Sequence, residues 1–256
     1  MLLVIDCGNT NTVFALFDGD NKKGEWRVQT DPRRTSDEHG VWLTQLLSLE
    51  GLASADVTGA VIASVVPQAT FPLDTLCRRY FAVEPMIVGE PAVKLGLKVL
   101  TDRPDEVGAD RLVNAVAAHA RYPGDLILVD FGTATTFDAV TADGDYKGGI
   151  IAPGVNLSVE ALVRAAARLP RISVKRPEKV LGTTTISAMQ SGVYWGYVGL
   201  IEGLIARLAD ELAVKPTVVA TGGLAPLFAG ATKAIHHIDP DLTLRGLVRI
   251  YGLNQQ

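Results

Sequence analysis

"LLVIDCGNTNTVFALFDGD" (residues 2–20) decides how the rest of the chain is read. An apolar run reaches Asp6. A turn of small polar residues follows: Gly8, Asn9, Thr10, Asn11 and Thr12. A second apolar run then leads to Asp18-Gly19-Asp20. The pattern predicts a β-hairpin whose first buried strand ends on a carboxylate. A glycine-containing turn after a strand can present backbone N–H groups to phosphate oxygens, and Thr and Asn side chains add donors. An aspartate at the strand end can hold Mg²⁺, directly or through its waters. The local alternative is an Asx-type turn in which Asp6 and Asn9 satisfy neighbouring backbone groups.

The same pattern returns. "LILVDFGTATTFDAVTADGD" (residues 126–145) again runs strand, Asp-x-Gly, Thr-rich turn, strand and Asp-Gly-Asp. Asp6 aligns with Asp130, Gly8 with Gly132 and Thr12 with Thr136. A second echo pairs "AVIASVVP" (residues 60–67) with "TVVATGGLAP" (residues 217–226), two apolar strands of the parallel-sheet kind. Self-similarity of this sort predicts two related α/β domains, 1–118 and 119–256. Two such hairpins facing one ligand across an interdomain cleft would supply two carboxylates and two phosphate loops, which favours function over a local turn.

Helices are expected between the strands. "TSDE" (residues 35–38) is a capping-box pattern ahead of an apolar run. "ADRLVNAVAAHARY" carries Leu112, Val113, Val116 and Ala120 at helical spacing. From Ile186 to Leu212, Ile186, Met189, Val193, Leu200, Leu204 and Leu208 fall on one side of a helix. Gly192, Gly196, Gly199 and Gly203 also share a face, which predicts close backbone approach to another helix, within the chain or across a dimer.

Composition bounds the function. The 256 residues are 48% hydrophobic, enough for a sizeable core, with a net charge of −4 and no long basic run. Nucleic acid and anionic membranes are therefore not expected as partners. Cys7 and Cys77 form no metal-binding or redox motif and read as buried free thiols. "MLLVID" has no basic n-region, so a cytoplasmic protein is expected. Residues 180–201 are uncharged and long enough to span a bilayer, but their Thr, Ser, Gln and Gly content favours a buried helix. No P-loop motif, no G-x-G and no G-x-S-x-G elbow is present. The opening hairpin has no basic residue before Lys22, so phosphate charge must be met by cations and backbone dipoles.

A third segment, "EVGADRLVNAVAAHA" (residues 106–120), places Gly108 and Ala109 before Asp110 and Arg111 at a helix start. Asp110 could accept a proton from a substrate hydroxyl, and Arg111 could pair with a substrate carboxylate. Taken alone, the pair is equally a helix cap with a solvated arginine.

These segments in this order and spacing resemble type III pantothenate kinase. So do "GGIIAPGVNLSVEAL" (residues 148–162), "GTTTISAMQSG" (residues 182–192), "ATGG" (residues 220–223) and "LTLRGLVRIY" (residues 242–251). The resemblance implies an actin-like fold of two ribonuclease-H-like domains. It implies transfer of the ATP γ-phosphoryl group to pantothenate, opening coenzyme A synthesis, by a homodimer that needs Mg²⁺ and a monovalent cation, K⁺ or NH₄⁺. By position, it makes Asp6, Cys7, Gly8, Asn9, Thr10, Asn11, Thr12 and Val13 the first ATP phosphate loop, with Asp6 nearest Mg²⁺. Asp110 would be the catalytic base within a pantothenate-binding segment of Gly108, Ala109, Asp110 and Arg111. Asp130 would hold the monovalent cation, Thr133 would contact ATP, and Gly222 and Gly223 would lie by the adenosine. Thr185 would contact pantothenate, reaching the partner subunit's site. Thr101 stands where many members have a pocket-lining tyrosine, and Thr184-Thr185 stands where many have Asn-Thr. The competing readings are a kinase of the same superfold for another small molecule and a non-catalytic accessory protein that retains the nucleotide cleft.

Overall fold

The computed structural model describes residues 1–166 and 168–255. The chain divides into two compact units, the first formed by residues 1–98, 102–117 and 241–256, the second by 99–101 and 118–240.

In the first unit, β1 (Leu2–Cys7) and β2 (Asn11–Asp18) form the expected hairpin. β3 (Asn21–Gln29) extends it antiparallel. β4 (Gly59–Ser64) adds in parallel on the other side of β1, and β5 (Pro85–Ile87) adds to β4. The order is β3-β2-β1-β4-β5. β1 is apolar on both faces because both are covered. Leu3, Ile5 and Cys7 join Phe14 and Leu16 under α1 (Ser36–Leu49) and α2 (Pro67–Phe81). Val4 joins Val13, Ala15 and Val61 on the opposite face, with Val113 and Val116 of α3 (Ala109–Arg121) and Leu244, Leu247 and Ile250 of α7 (Leu242–Leu253).

That second layer corrects the expected boundary. Residues 241–256 belong with the first unit, not with 119–256. The cause is the apolar stripe of α7, which completes the core over β1 and β4. At Gly246 its backbone comes so close to Val113 that a Cβ would overlap the Val113 carbonyl.

The second unit repeats the topology. β6 (Leu126–Phe131) and β7 (Ala134–Val140) form the hairpin, β8 (Tyr146–Pro153) extends it, and β9 (Thr217–Thr221) pairs in parallel with β6. With β10 (His237–Ile238) the order is β10-β9-β6-β7-β8, the same succession as in the first unit. Pro67 and Pro226 each open the helix that follows the parallel strand, α2 and α6 (Ala225–Ala229). Each sheet is mixed and packed with helices, and the whole is the two-domain, actin-like α/β class expected from the sequence.

α4 (Val155–Ala165) and α5 (Thr185–Leu212) lie between β8 and β9. Thr184 caps α5, its hydroxyl accepting from Ser187 N–H. The buried side of α5 is Met189, Tyr194, Tyr197, Val198, Ile201 and Ile205. Of the apolar side read from spacing, Met189 is buried, Val193, Leu200, Leu204 and Leu208 are half-buried and pack against the same core, and Ile186 is 51% exposed. Aromatic anchors hold the helix to the core: Phe228 stacks on Phe131 and Tyr194 at centroid distances of 5.4 and 5.5 Å. The glycine face makes no close approach within the described residues. Around the Cβ positions of Gly192, Gly196 and Gly199 there is nothing within 4 Å.

Among the described residues, no helix is long and apolar enough to cross a membrane. Cys7 and Cys77 are both buried and free, and burial pushes the Cys77 thiol up to about 12.

Candidate active site

The two turns are built alike but are not the same length. Gly8 N–H donates to Asn11 O and Gly132 N–H to Ala134 O, each at 3.0 Å. The second turn is one residue shorter. In the first hairpin Cys7 pairs with Thr12; in the second Phe131 pairs with Thr135, and Asp130 pairs with Thr136. The structural counterpart of Thr12 is therefore Thr135, not Thr136. Both are buried, at 2% and 0% exposure, whereas Thr136 stands beside Asp130.

Asp6 is half-buried at the end of β1, and Asn9, Thr10 and Asn11 are exposed. Cys7, Thr12 and Val13 are buried, so their side chains shape the turn rather than face solvent. Thr30, the residue after β3, closes over the turn. Its N–H donates to Thr10 O at 3.0 Å, its hydroxyl donates to Gly8 O at 2.7 Å, and it lies 2.8 Å from Thr12 Oγ1. The sequence reading missed Thr30. The signal was its position, directly after the third strand of the repeated unit.

Asp110 reaches the same end of the first sheet. Val65 N–H donates to Cys7 O at 3.0 Å just beyond β4. A Cβ at Gly108 would lie 3.8 Å from Val65 Cγ1 and 2.7 Å from Asp110 Oδ1. The Gly108–Arg111 segment thus sits beside the carboxyl ends of β1 and β4, where ligands bind in open α/β sheets. Asp110 lies in the first turn of α3, where helix N–H groups favour negative charge. Its Oδ1 accepts from Arg111 N–H at 2.8 Å, and both residues are half-buried.

In the second unit, Asp130 is half-buried at the end of β6, and Gly132 and Thr133 are exposed. Thr221 of β9 pairs with Asp130, and the chain then turns at Gly222 with φ +89°. A Cβ there would sit 2.8 Å from Asp130 Oδ1 and 2.7 Å from Phe131 O. Only glycine combines that φ with that clearance. Gly222 thus stands against Asp130, while Gly223 is exposed. Asp138, 1% exposed, is a further buried carboxylate on the sheet face of Asp130 and Thr136. It accepts from Tyr146 OH at 2.6 Å and from Thr136 Oγ1 at 3.2 Å. Thr185 opens α5 in an exposed position. Thr101 lies by Gly148 of β8, with its Cγ2 3.7 Å from a Cβ there, and its buried hydroxyl has no hydrogen-bond partner among the described residues.

No group of three or more His, Cys, Asp or Glu side chains suited to a metal occurs among the described residues. Mg²⁺ needs no such cage: it keeps waters and binds through one or two carboxylates plus substrate phosphates. Asp6, a hard oxygen donor at a strand end, fits that role. The clearance that Gly222 leaves beside Asp130 fits a second, weakly hydrated cation.

The sequence model of the type III pantothenate kinase family matches residues 2–207. The chain is 63% identical to the type III pantothenate kinase of Paramagnetospirillum magneticum over 254 residues, covering 99% of this chain and 98% of that one. It is also 63% identical to the Rhodospirillum rubrum protein of the same name over 255 residues, covering 100% and 99%. In solved structures, a polyphosphate/ATP-glucomannokinase from Arthrobacter superposes with a TM-score of 0.51 at 14% identity, over 100% of this chain and 99% of that one. That likeness concerns the fold. Identity at this level across the full length, joined to the turn and helix-start geometry above, places the chain in the type III pantothenate kinase family.

Proposed function

We propose that the protein transfers the γ-phosphoryl group of ATP to the primary hydroxyl of pantothenate, giving 4'-phosphopantothenate and ADP in the first step of coenzyme A synthesis. The observation that carries this reading is the seat of Asp110, at a helix start beside the end of β1 and its phosphate turn. Asp110 accepts the hydroxyl proton as the substrate oxygen bonds to the γ-phosphorus and the bond to the bridging oxygen of ADP breaks. Such a base contributes about 10²–10⁴-fold. Positioning and charge neutralisation supply the rest. The turns after Asp6 and Asp130 offer N–H groups to the phosphates, with Thr133 beside them. Gly222 and Gly223 shape the nucleotide's surroundings, and Arg111 pairs with the pantothenate carboxylate. Asp6 would hold Mg²⁺ and Asp130 a monovalent cation, K⁺ or NH₄⁺; both ions offset phosphate charge.

The working form is a cytoplasmic homodimer, joined through the second unit. Ile151, Leu157, Leu162, Val180, Leu181 and Ile186 are 41–80% exposed there, and the glycine face of α5 lies open. Exposed apolar side chains in this number support an interface on the second unit. Thr185, at the start of α5, would then reach the partner's pantothenate.

The test is ATP-dependent phosphorylation assayed against a panel of pantothenate, sugars and small hydroxy acids. Turnover confined to pantothenate supports the reading. Nucleotide binding with no turnover on any of them would instead favour the accessory protein.

A further inference from the structure

The first phosphate turn is braced from the third strand. Three contacts run from Thr30 to it: N–H to Thr10 O, hydroxyl to Gly8 O, and hydroxyl to Thr12 Oγ1, at 3.0, 2.7 and 2.8 Å. A hydroxyl carries one proton and a carbonyl can only accept. The Thr30 proton therefore goes to Gly8 O, and the proton between the two threonines comes from Thr12, whose other acceptor, Cys7 Sγ at 3.4 Å, is longer and weaker.

The repeat gives this position a counterpart. Gln29 lies opposite Asn11, and Pro153 lies opposite Ala134. Thr30 and Gly154 thus hold the same station in the two hairpins. Gly154 lies directly against the second turn: a Cβ on it would overlap Thr133 O and lie 2.9 Å from Gly132 O. At one repeated position, then, Thr30 hydrogen-bonds the carbonyls of its turn and Gly154 leaves room for those of the other.

The consequence follows from peptide planarity. In a trans peptide the C=O and the next N–H point in opposite directions. Fixing Gly8 C=O on Thr30 therefore aims Asn9 N–H away from Thr30. We infer that Thr30 is a positioning residue for nucleotide binding, acting through the Gly8–Asn9 peptide to set the direction of a phosphate donor. This rests on the proposed role of the turn as an ATP phosphate loop.

The experiment compares wild type, Thr30→Val and Thr30→Ser by calorimetric titration with the magnesium complex of the non-hydrolysable analogue AMP-PNP, and by steady-state kinetics. Valine keeps the shape and removes the hydroxyl; serine keeps the hydroxyl. The Kd for the analogue and the KM for ATP should rise about tenfold in Thr30→Val, the loss of one hydrogen bond that orients a donor to a charged group. The KM for pantothenate should stay within about twofold, and Thr30→Ser should bind within about twofold of wild type. Unchanged nucleotide binding in Thr30→Val, or equal losses in the serine and valine variants, overturns the inference. If Thr30→Val does not fold by circular dichroism, Thr12→Val replaces it. It removes the proton that orients the Thr30 hydroxyl, and a weakening of about threefold is expected; unchanged binding overturns the inference. The titration makes no use of pantothenate. A wild type that binds the analogue but leaves pantothenate unphosphorylated removes the substrate reading alone, whereas one that binds no analogue overturns both.

Discussion

Gly222 turns at φ +89° with its missing side chain aimed at Asp130, 2.8 Å from Oδ1. The carboxylate at the end of β6 therefore depends on a glycine from the loop after β9. Gly222→Ala forces an unfavourable φ and a clash with Asp130 and Phe131 O together, and strain of this kind costs about 1–3 kcal/mol. The variant should lose more than about tenfold in kcat/KM for ATP. Gly223→Ala, whose Cβ meets nothing within 4 Å, should stay near wild type. Equal behaviour of the two variants would separate Gly222 from the site.

The cation assignment gives a distinct result. The opening hairpin carries no lysine for the phosphates, and Asp6 and Asp130 are equivalent in the repeat. On the proposed function both carboxylates serve one triphosphate, which then requires two positive partners. Activity should be low in sodium-only buffer and rise with K⁺ or NH₄⁺, and Asp130→Ala should remove that response. Asp6→Asn should also lose activity, with partial recovery at raised Mg²⁺. Full turnover without K⁺ or NH₄⁺ would contradict the role given to Asp130.

Acid stability should report on His39. It is 5% exposed, packs on Phe14 at 5.6 Å, and its Nδ1 has no hydrogen-bond partner among the described residues. Burial, with Arg34 nearby, lowers its pKa from 6.5 to about 4, while Glu38 opposes. Between those values the unfolded chain binds a proton that the folded chain does not, so stability falls as pH drops from 6.5 towards 4. The full loss is about 3 kcal/mol. His39→Phe should remove that part of the slope, measured as the difference in urea midpoints between pH 7 and pH 5. Identical pH slopes in the two proteins would show that His39 is not the group responsible.

The open face of α5 separates two accounts by sign. At Gly196 and Gly199 an added Cβ meets nothing within 4 Å among the described residues, and Leu at each improves helix propensity by about 1 kcal/mol. A monomer should therefore gain stability. A dimer packed on this face should be overfilled, which typically costs about 1–3 kcal/mol. Sedimentation is expected to show dissociation with α-helix content retained; an intact dimer of higher stability would place the interface elsewhere.

The repeat was legible because each hairpin states its own signals: an apolar run, a carboxylate and a small polar turn. Those signals fixed Asp6, Asp130 and both parallel strands. The length of the second turn was not legible, since "GTATT" offers two adjacent threonines and only the strand register chooses Thr135 as the buried one. The apolar side of α5 was legible in part: Met189 is buried and Val193, Leu200, Leu204 and Leu208 pack against the core, but spacing alone does not show that Tyr194 and Tyr197, whose rings pack on Phe228, are buried more deeply. The placement of α7 in the first unit depends on a long-range contact between Gly246 and Val113, which local periodicity does not encode. Thr30 and Gly154 escaped notice for a similar reason: a threonine and a glycine share no residue type, only a position after the third strand.

The most direct test follows the phosphorus. Wild-type protein, Asp110→Asn and Asp110→Glu are incubated with MgATP and pantothenate in K⁺ buffer, and products are read by ³¹P NMR with thermal unfolding in parallel. The account predicts one 4'-phosphopantothenate per ADP in wild type and an unchanged unfolding temperature in Asp110→Asn. It also predicts a fall of about 10²–10⁴-fold in that variant's kcat, with partial activity in Asp110→Glu. A wild-type rate in Asp110→Asn, or ADP formed without phosphopantothenate by the wild type, would contradict it.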